Sequence, residues 1–114
     1  MSDCIFCKII EGKIPSTKIF ENAHVIGFKD LRPQAAIHQL FIHKRHSNDI
    51  NELSKNDPTQ LVDLFEAMRL YSEEEGLTKD GFRVVTNLGP NAGQTVFHTH
   101  FHLLAGEPLG HFGS

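Results

Sequence analysis

The sequence has no long hydrophobic run, no cluster of basic residues and only two cysteines. A transmembrane helix needs about 18 consecutive apolar residues, so we expect no membrane span. The first residues lack the basic and apolar stretches of a secretory signal, which predicts a cytoplasmic protein without a membrane partner. The net charge of −3 argues against binding a nucleic-acid polymer, because such binding needs a clustered lysine and arginine surface. In a reducing compartment, Cys4 and Cys7 are not expected to form a structural disulfide.

What is present describes one ordinary globular domain. The 114 residues are 39% hydrophobic and 22% charged, with no linker, repeat or low-complexity segment. We therefore expect residues 1–114 to form a single domain. A chain of this length buries only a modest core, so association of two copies would stabilise it.

The hydrophobic pattern predicts an α+β fold. A short helix is expected over residues 4–10, with Asp3 as its N-cap. Asp57 and Pro58 predict the start of a long helix that ends at Gly76. Five strands are predicted over residues 17–21, 24–29, 39–43, 81–87 and 96–104. The short connections favour an antiparallel sheet with the helices on one face and the histidines on the other.

Three of the eight histidines alternate with apolar or β-branched residues in the last predicted strand. Side chains point to opposite faces along a strand, so His98, His100 and His102 share one face, about 6.6 Å apart. The residues that face the other way and can pack on the core are Thr99, Phe101 and Leu103. Imidazole can be a nucleophile, a proton donor or acceptor, or a metal ligand near neutral pH. Because a glycine-rich loop, residues 89–95, comes directly before them, the three histidines indicate a site for a phosphate.

The loop before the histidines carries candidate phosphate-binding groups. Gly89 and Gly93 let the backbone approach an anion and can adopt a positive φ. Successive backbone N–H groups in such a loop can form an anion-binding concavity. The side chains of Asn87, Gln94 and Thr95 add further hydrogen-bond donors. A glycine-rich loop alone is most often a turn, but its position here predicts a phosphate cradle.

These motifs resemble those of a known family. His-Thr-His-Phe-His-Leu-Leu, residues 98–104, matches the His-x-His-x-His pattern followed by two apolar residues of the histidine triad (HIT) superfamily. Residues 3–15, 28–35 and 87–95 look like its amino-terminal end, ribose-binding region and phosphate loop. Residues 104–110 are most similar to the Hint branch, the nucleoside phosphoramidases. The resemblance implies a HIT domain with a five-stranded antiparallel sheet, one long and one or two short helices, and a homodimer in which the two sheets join edge to edge.

The resemblance also implies roles for the histidines. It makes His100 the nucleophile that forms a nucleotidyl-histidine intermediate, oriented by a nearby backbone carbonyl. The residues alone do not choose firmly between His100 and His102. Protonated, His102 would stabilise charge in the transition state, and it could also donate a proton to the leaving group. His38 is expected to orient His100 from behind the triad, and His98 completes the catalytic set.

The same resemblance predicts a nucleotide site. Asp30 would accept hydrogen bonds from the ribose hydroxyls, although an aspartate in such a loop is usually a turn residue. An apolar slot for the base is expected from Phe6, Ile14, Phe28 and Leu31, which fit a plain core equally well. The groups expected around the phosphate are Asn87, Gly93, Gln94, Thr95, His100 and His102.

The C-x-x-C pair leaves three interpretations open: metal binding, a redox pair or two buried thiols. Its spacing suits a tetrahedral zinc site if two more ligands lie near, and His46 and His98 are the candidates. Some bacterial members of the family carry a zinc with two cysteine and two histidine ligands, so the resemblance favours a structural Zn²⁺ on Cys4, Cys7, His46 and His98. Phosphoryl transfer itself would need neither a metal nor an organic cofactor, because histidine supplies the nucleophile. A thioredoxin-like role is disfavoured, since no strand precedes the cysteines.

Together these features predict a nucleotide hydrolase. It would cleave a purine nucleoside 5′-phosphoramidate at the α-phosphate and release AMP or GMP, with a purine mononucleotide or a phosphoramidate as its small-molecule partner. One alternative is a dinucleoside polyphosphate hydrolase or nucleotidyl transferase, although the transferase branch has glutamine where His102 stands. A second is a zinc-stabilised nucleotide-binding adaptor whose catalysis is incidental. A third is a histidine-rich metal store.

Overall fold

The computed structural model describes residues 3–111, which contain five strands and three α-helices. The strands are β1 (Lys18–Glu21), β2 (Val25–Lys29), β3 (Ile37–His43), β4 (Phe82–Val85) and β5 (His100–Ala105). The helices are α1 (Ile5–Ile10), α2 (Ile50–Asn56) and α3 (Thr59–Glu74), and a short 3₁₀ turn spans Pro90–Ala92. The predicted α+β class, with one long and two short helices, is confirmed. None of these helices is long and apolar enough to cross a membrane.

The five strands form one antiparallel sheet in the order β1-β2-β3-β5-β4. Because β5 lies between β3 and β4, its histidines are on an interior strand of the sheet. The register sets Leu40 opposite His102 and Ile42 opposite His100. Directly opposite residues share a face, so the two histidines have apolar neighbours on β3.

One face of the sheet packs against α2 and α3. Leu64, Met68 and Tyr71 recur at helical spacing along α3 and are buried. They form the larger core cluster together with Phe101 and Leu103 of β5. The prediction that these two β5 residues point away from the histidine face and into a core is therefore confirmed.

The histidine face carries α1, so the prediction that all helices lie on the opposite face is wrong. Phe6 of α1 is buried in a second core cluster with Ile26, Phe28 and Ile42. The aromatic ring is removed from water because it packs against these apolar side chains of β2 and β3. This burial holds the short helix on the sheet. The consequence for the site is that α1 forms one of its walls.

Strand β5 begins at His100 and not at residue 96 as predicted. The residues before it are held by the last residue of β3 and by the segment that follows β3. The N–H of Thr99 donates to the carbonyl of Ser47 at 2.8 Å, and Nε2 of His98 lies 3.0 Å from the carbonyl of His43. These bonds divert residues 96–99 from regular pairing, so His98 does not lie on the strand with the other two histidines.

The helix α2 is absent from the sequence prediction, although the chain carries a signal for it. Asp49 is its N-cap, and the Asp49 side chain accepts the N–H of Glu52 at 2.9 Å. The Glu52 carboxylate in turn accepts the N–H of Asn48 at 2.7 Å. An aspartate followed three residues later by glutamate resembles a capping box, with the difference that this glutamate bonds the N–H one residue before the N-cap.

The ends of the long helix differ slightly from the prediction. Pro58, not Asp57, is the N-cap of α3. Asp57 instead ends α2, and its carboxylate accepts a hydrogen bond from the hydroxyl of Thr59 at 2.6 Å. Gly76, the predicted end of the helix, follows the last turn with a φ of +71°.

Candidate active site

His100 is held in the tautomer that a nucleophile requires. Its Nδ1 lies 2.7 Å from the backbone carbonyl of His98, and a carbonyl can only accept, so Nδ1 carries the proton. Burial lowers the pKa of His100, which keeps the ring neutral at pH 7. A neutral ring with its proton on Nδ1 presents a bare lone pair on Nε2. The expectation that a backbone carbonyl orients this histidine agrees with the structure.

A hydrophobic wall limits how the His100 ring can turn. The ring of Phe6 meets it edge to face, with centroids 5.1 Å apart and planes at 89°. Phe6 is itself packed edge-on against Phe28, at 5.5 Å between centroids. These contacts restrain the imidazole from the side of α1.

His102 and His38 form a second hydrogen-bonded pair beside the nucleophile. The backbone N–H of Gln34 donates to Nδ1 of His38 at 3.0 Å, so the proton of neutral His38 is on Nε2. That Nε2 lies 2.9 Å from Nδ1 of His102 and donates to it. The proton of His102 is therefore on its Nε2. The ring centroids of His102 and His100 are 5.2 Å apart, so the Nε2–H donor and the bare Nε2 belong to neighbouring rings.

Two expectations about this pair need correction. His38 contacts His102, not His100, because residues 34–38 bring its Nε2 to the far side of the pair. Burial, with smaller contributions from the nearby His100 and His38, lowers the pKa of His102 to about 4. His102 is thus a neutral hydrogen-bond donor at pH 7 in the free protein, and not an imidazolium.

Asp30 lies at the end of this pair. One of its oxygens accepts the backbone N–H of Arg32 at 2.8 Å, which is the turn role that the sequence alone would give it. The other oxygen lies 3.5 Å from Nε2 of His38. Its charge opposes the lowering of the pKa of His102 and of His100. The carboxylate thus faces the histidine site.

The expected base slot is only partly assembled. Phe6 and Phe28 are buried against each other, Ile14 is half-buried, and Leu31 is 95% exposed beside Asp30. An apolar side chain so exposed is available to contact a ligand. Phe6 and Phe28 fit either a plain hydrophobic core or a slot for the base. Leu31 does not fit a core.

The glycine-rich loop is closed by its own hydrogen bonds. Gly89 and Gly93 have φ of +84° and +81°, a region that favours glycine. The N–H of Gly93 donates to the carbonyl of Pro90 at 3.1 Å, and that of Gln94 donates to the carbonyl of Gly89 at 3.0 Å. Asn87 is half-buried and Thr95 exposed on either side of this closed turn.

The prediction that the Gln94 side chain donates to a phosphate is wrong. The side chain is buried, and its Oε1 accepts the N–H of Gly89 at 2.9 Å. Its Nε2 donates to the carbonyls of Asn48 and Val96, at 2.8 and 3.2 Å. Both amide hydrogens are used, so Gln94 fastens the loop to its neighbours and has no donor left for a ligand.

Cys4, Cys7, His46 and His98 come together at the amino-terminal end of α1. One potential ligand atom from each lies within 4.8 Å of all the others. Cys4 Sγ is 3.3 Å from His98 Nδ1, Cys7 Sγ is 3.3 Å from His46 Nδ1, and the two Nδ1 atoms are 3.2 Å apart. A tetrahedral zinc, with Zn–N of about 2.0 Å and Zn–S of about 2.3 Å, sets neighbouring ligand atoms roughly 3.3–3.8 Å apart.

The protonation of this cluster also suits a cation. His98 donates from Nε2 to the carbonyl of His43 at 3.0 Å, and His46 from Nε2 to Oδ1 of Asn48 at 2.9 Å. Both Nδ1 atoms of the neutral rings are then bare and face each other, an arrangement that a bound cation stabilises. Burial and the neighbouring Cys4 raise the pKa of Cys7 to about 11, so without a cation its thiol keeps its proton. The four residues therefore fit Zn²⁺.

His98 is predicted both as a catalytic residue and as a metal ligand. In the structure its ring and its backbone carbonyl have different roles. The ring is 1% exposed, with one nitrogen in the Cys/His cluster and the other bonded to His43. Its backbone carbonyl holds His100. His98 thus reaches the nucleophile through the main chain and not through its imidazole.

Two participants have no clear signal in the sequence. Gln34 acts through its backbone N–H, which any residue other than proline would supply. Thr86 donates its hydroxyl to the carbonyl of His100 at 2.8 Å, next to the edge of the site. A threonine after a short strand does not by itself indicate this contact.

Known proteins share both the sequence and the fold. Residues 3–111 match the family model described as "Scavenger mRNA decapping enzyme C-term binding". A HIT-like protein of Helicobacter pylori is 39% identical over 104 residues, 90% of this chain and 96% of that protein. The purine nucleoside phosphoramidase of Escherichia coli K12 is 36% identical over 108 residues, 95% of this chain and 91% of that protein. The structure of a HIT family hydrolase from Clostridium thermocellum has a TM-score of 0.93 and 39% identity, covering 100% of this chain and 99% of that one.

Proposed function

The chain belongs to the histidine triad superfamily of hydrolases, and we propose that it cleaves the phosphorus–nitrogen bond of purine nucleoside 5′-phosphoramidates. The observation that carries this proposal is the bare Nε2 of His100, fixed by the 2.7 Å bond between its Nδ1 and the carbonyl of His98. The phosphoramidase of E. coli, 36% identical to the chain, supports this substrate class.

The first step is attack by His100 on the α-phosphorus. The Nε2 lone pair forms a bond to phosphorus while the bond to the substrate amine breaks, and the departing amine takes a proton from solvent. His102 donates its Nε2–H to a phosphate oxygen as negative charge builds there. His38 holds His102 in the tautomer that allows this donation. The product of the step is a nucleotidyl group on His100.

The second step is hydrolysis of that intermediate. Water attacks the same phosphorus, the bond to Nε2 breaks, and the lone pair returns to His100. The nucleoside monophosphate leaves, and the proton lost by water passes to solvent. Each turnover thus restores the neutral ring that the burial of His100 favours.

The remaining predicted residues bind the nucleotide in this proposal. The oxygen of Asp30 that does not cap the turn at Arg32 accepts from the ribose hydroxyls. The base packs against exposed Leu31 and the edge of the apolar cluster that contains Phe28. Around the phosphate, the loop contributes the side chains of Asn87 and Thr95. Gly93, whose N–H is bonded to the carbonyl of Pro90, shapes the turn between them.

We also propose a structural Zn²⁺ held by Cys4, Cys7, His46 and His98. The support is the convergence of four ligand atoms at distances that match tetrahedral coordination. When bound, the ion supplies cross-links between α1, the segment after β3 and the segment before β5. No step of the phosphoryl transfer runs through it.

A homodimer with the two sheets joined edge to edge completes the proposal. β4 ends the sheet on one side, and exposed apolar side chains lie on it and on α3, including Phe82 and Val62. Burying them against a second copy would add to the modest core of one chain.

The test is mass spectrometry of the enzyme quenched during turnover of adenosine 5′-phosphoramidate. We expect an adenylyl group on the peptide that contains His100. The His100→Ala variant should lose the adduct and turnover by about 10³-fold or more. His24→Ala, at an exposed histidine outside the site, is the matched control and should form the adduct normally. Near-normal turnover by the His100 variant would end the proposal.

The other outcomes identify the rival functions. Faster cleavage of a dinucleoside polyphosphate than of the phosphoramidate would favour the other hydrolase branch. Nucleotide binding without turnover or an adduct would indicate an adaptor. Several metal ions per chain with no nucleotide affinity would indicate a metal store.

A further inference from the structure

The Cys/His cluster and the nucleophile share a helix, α1. Phe6, whose ring meets His100 edge to face at 5.1 Å, lies between Cys4 and Cys7 in the sequence. Cys4 is also the N-cap of α1, and its Sγ accepts the N–H of Cys7 at 3.3 Å. The helix has only six residues, too few to be stable alone, so its position depends on the burial of Phe6 and on the contacts of Cys4 and Cys7.

The cluster and the nucleophile share a second connection through His98. The Nδ1 of its ring points at Cys4 Sγ, 3.3 Å away, while its backbone carbonyl accepts a hydrogen bond from His100 Nδ1 at 2.7 Å. The ring of His98 also lies near Phe6, with centroids 6.0 Å apart. One residue therefore contributes a ligand atom to the cluster and the orienting carbonyl to the nucleophile.

These two connections restrain the same imidazole from different sides. The carbonyl of His98 fixes the proton on Nδ1, and the edge of Phe6 limits rotation of the ring. Both restraints lead to the Cys/His cluster, since α1 contributes Cys4 and Cys7 to it and His98 contributes its ring. The bare Nδ1 atoms of His46 and His98 face each other there, 3.2 Å apart. Without a cation these two lone pairs repel, and only weak thiol contacts of 3.3 Å attach the amino-terminal half of α1 to His46 and His98.

We propose that Phe6 is a positioning residue for His100, and that a cation in the Cys/His cluster sets this position by fixing α1 and the carbonyl of His98. This inference rests on the proposed function of His100. It gives the cluster a role beyond stability: the nucleophile is oriented when the cluster is loaded and loosened when it is empty. A displacement of about 1 Å at a reacting group can cost about 10²-fold in rate, so a small shift of α1 would be enough to matter.

The test follows the ring of His100 directly by ¹⁵N NMR of histidine-labelled protein. In the protein loaded with one Zn²⁺ per chain, we expect a single Nδ1–H tautomer for His100. After removal of zinc with a chelator, we expect a mixture of tautomers or exchange broadening at this ring, and recovery on adding zinc back. Backbone spectra taken on the same samples show whether the sheet is intact.

A variant separates the role of Phe6 from that of the metal. Phe6→Leu keeps an apolar side chain but removes the aromatic edge. It should bind zinc at the same stoichiometry, yet show the mixed or broadened His100 signals even when loaded, with adduct formation slowed about tenfold. Ile9→Leu, on the same helix and against the same core cluster, is the control and should leave both the spectrum and the rate unchanged.

Two results would overturn the inference. One is an unchanged His100 spectrum in zinc-loaded and zinc-free protein whose sheet is intact; the other is a Phe6→Leu protein with a wild-type spectrum and rate. Either could occur while His100 still forms the nucleotidyl adduct, which would leave the proposed function standing. Loss of the adduct with the tautomer response preserved would reject the proposed function instead.

Discussion

At the scale of single residues, the site works by deciding which ring nitrogen carries a proton. The carbonyl of His98 forces the proton of His100 onto Nδ1, and the N–H of Gln34 forces that of His38 onto Nε2. Because Nε2 of His38 carries the proton, it donates to Nδ1 of His102 at 2.9 Å, and the proton of His102 is therefore on its Nε2. Two neutral rings side by side thus become a nucleophile and a donor, although they have the same chemistry in isolation.

A pH dependence of stability follows from the burial of His102. Its pKa falls from the ordinary 6.5 to about 4 in the folded protein, so folding favours the neutral ring. The stabilisation is complete above pH 6.5 and is lost as the pH falls toward 4, where the unfolded chain binds a proton that the folded chain does not. At about 1.4 kcal/mol per unit of pKa shift, reduced by solvent screening of this partly exposed ring, the contribution is roughly 2 to 3 kcal/mol. Urea unfolding at a series of pH values measures it.

The His102→Gln variant isolates this contribution. Burial also lowers the pKa of His98 and of His100, but these residues are common to both proteins. The difference in unfolding free energy between the wild type and the variant should shrink as the pH falls from 6.5 to 4. Nearby charges that act on His102 are His100, His38 and Asp30, all unchanged in the variant. If the difference in unfolding free energy stays constant with pH, the pKa of His102 is not lowered in the folded protein.

At the scale of elements, the sequence predicts the main helix and strands but not the long-range hydrogen bonds between them. Alternation along β5 and the helical spacing in α3 depend on local periodicity, so both elements could be found from the sequence. The hydrogen bond between His38 and His102 could not be found in this way, because the two residues are 64 positions apart and meet only in the sheet. The departure of residues 96–99 from the strand has the same cause, because their partners are distant in sequence: His43 at the end of β3 and Ser47 after it. The four members of the Cys/His cluster could be named because C-x-x-C restricts the chemistry, whereas their distances could not.

The phosphate loop gives an element-scale prediction. Gln94→Ala removes three hydrogen bonds made by a buried side chain, one within the loop and two to neighbouring backbone. At about 1 kcal/mol each, the loss should be about 2–3 kcal/mol of unfolding free energy. AMP should also bind more weakly, because the loop is no longer fixed. Chemical denaturation and calorimetric titration measure the two effects.

The matched control is Gln34→Ala. Gln34 is exposed, and its contribution to the site comes from a backbone N–H that alanine retains. This variant should keep wild-type stability and AMP affinity. If both glutamine variants behave alike, Gln94 does not fasten the loop.

At the scale of the whole molecule, the two edges of the sheet differ in chemistry. β1 carries charge, with Lys18 paired to Glu21 at 2.8 Å. Charged side chains on an edge strand discourage pairing with another copy. β4, with sequence Phe-Arg-Val-Val, is mostly apolar and ends the sheet on the other side. The asymmetry favours β4 as the edge at which two sheets would join.

Sedimentation tests this assembly. We expect a species of twice the 12.8 kDa chain mass at micromolar concentration. Val62 is 66% exposed on α3, beside Phe65, and Phe82 is 36% exposed at the start of β4. Placing a charge in a buried apolar contact is costly, so Val62→Glu and Phe82→Glu should each weaken association by at least about tenfold.

Leu70→Glu is the control that distinguishes association at the β4 edge from association at the β1 edge. Leu70 is on the same helix and 42% exposed, but it lies beside Phe20 of β1, at the charged edge. Its substitution adds the same charge to α3 without touching the β4 edge, so the dimer should persist. A wild-type protein that sediments as a monomer rejects the dimer. A dimer disrupted by Leu70→Glu, but not by the other two, means that the copies join at β1, and the charged strand would then be the interface.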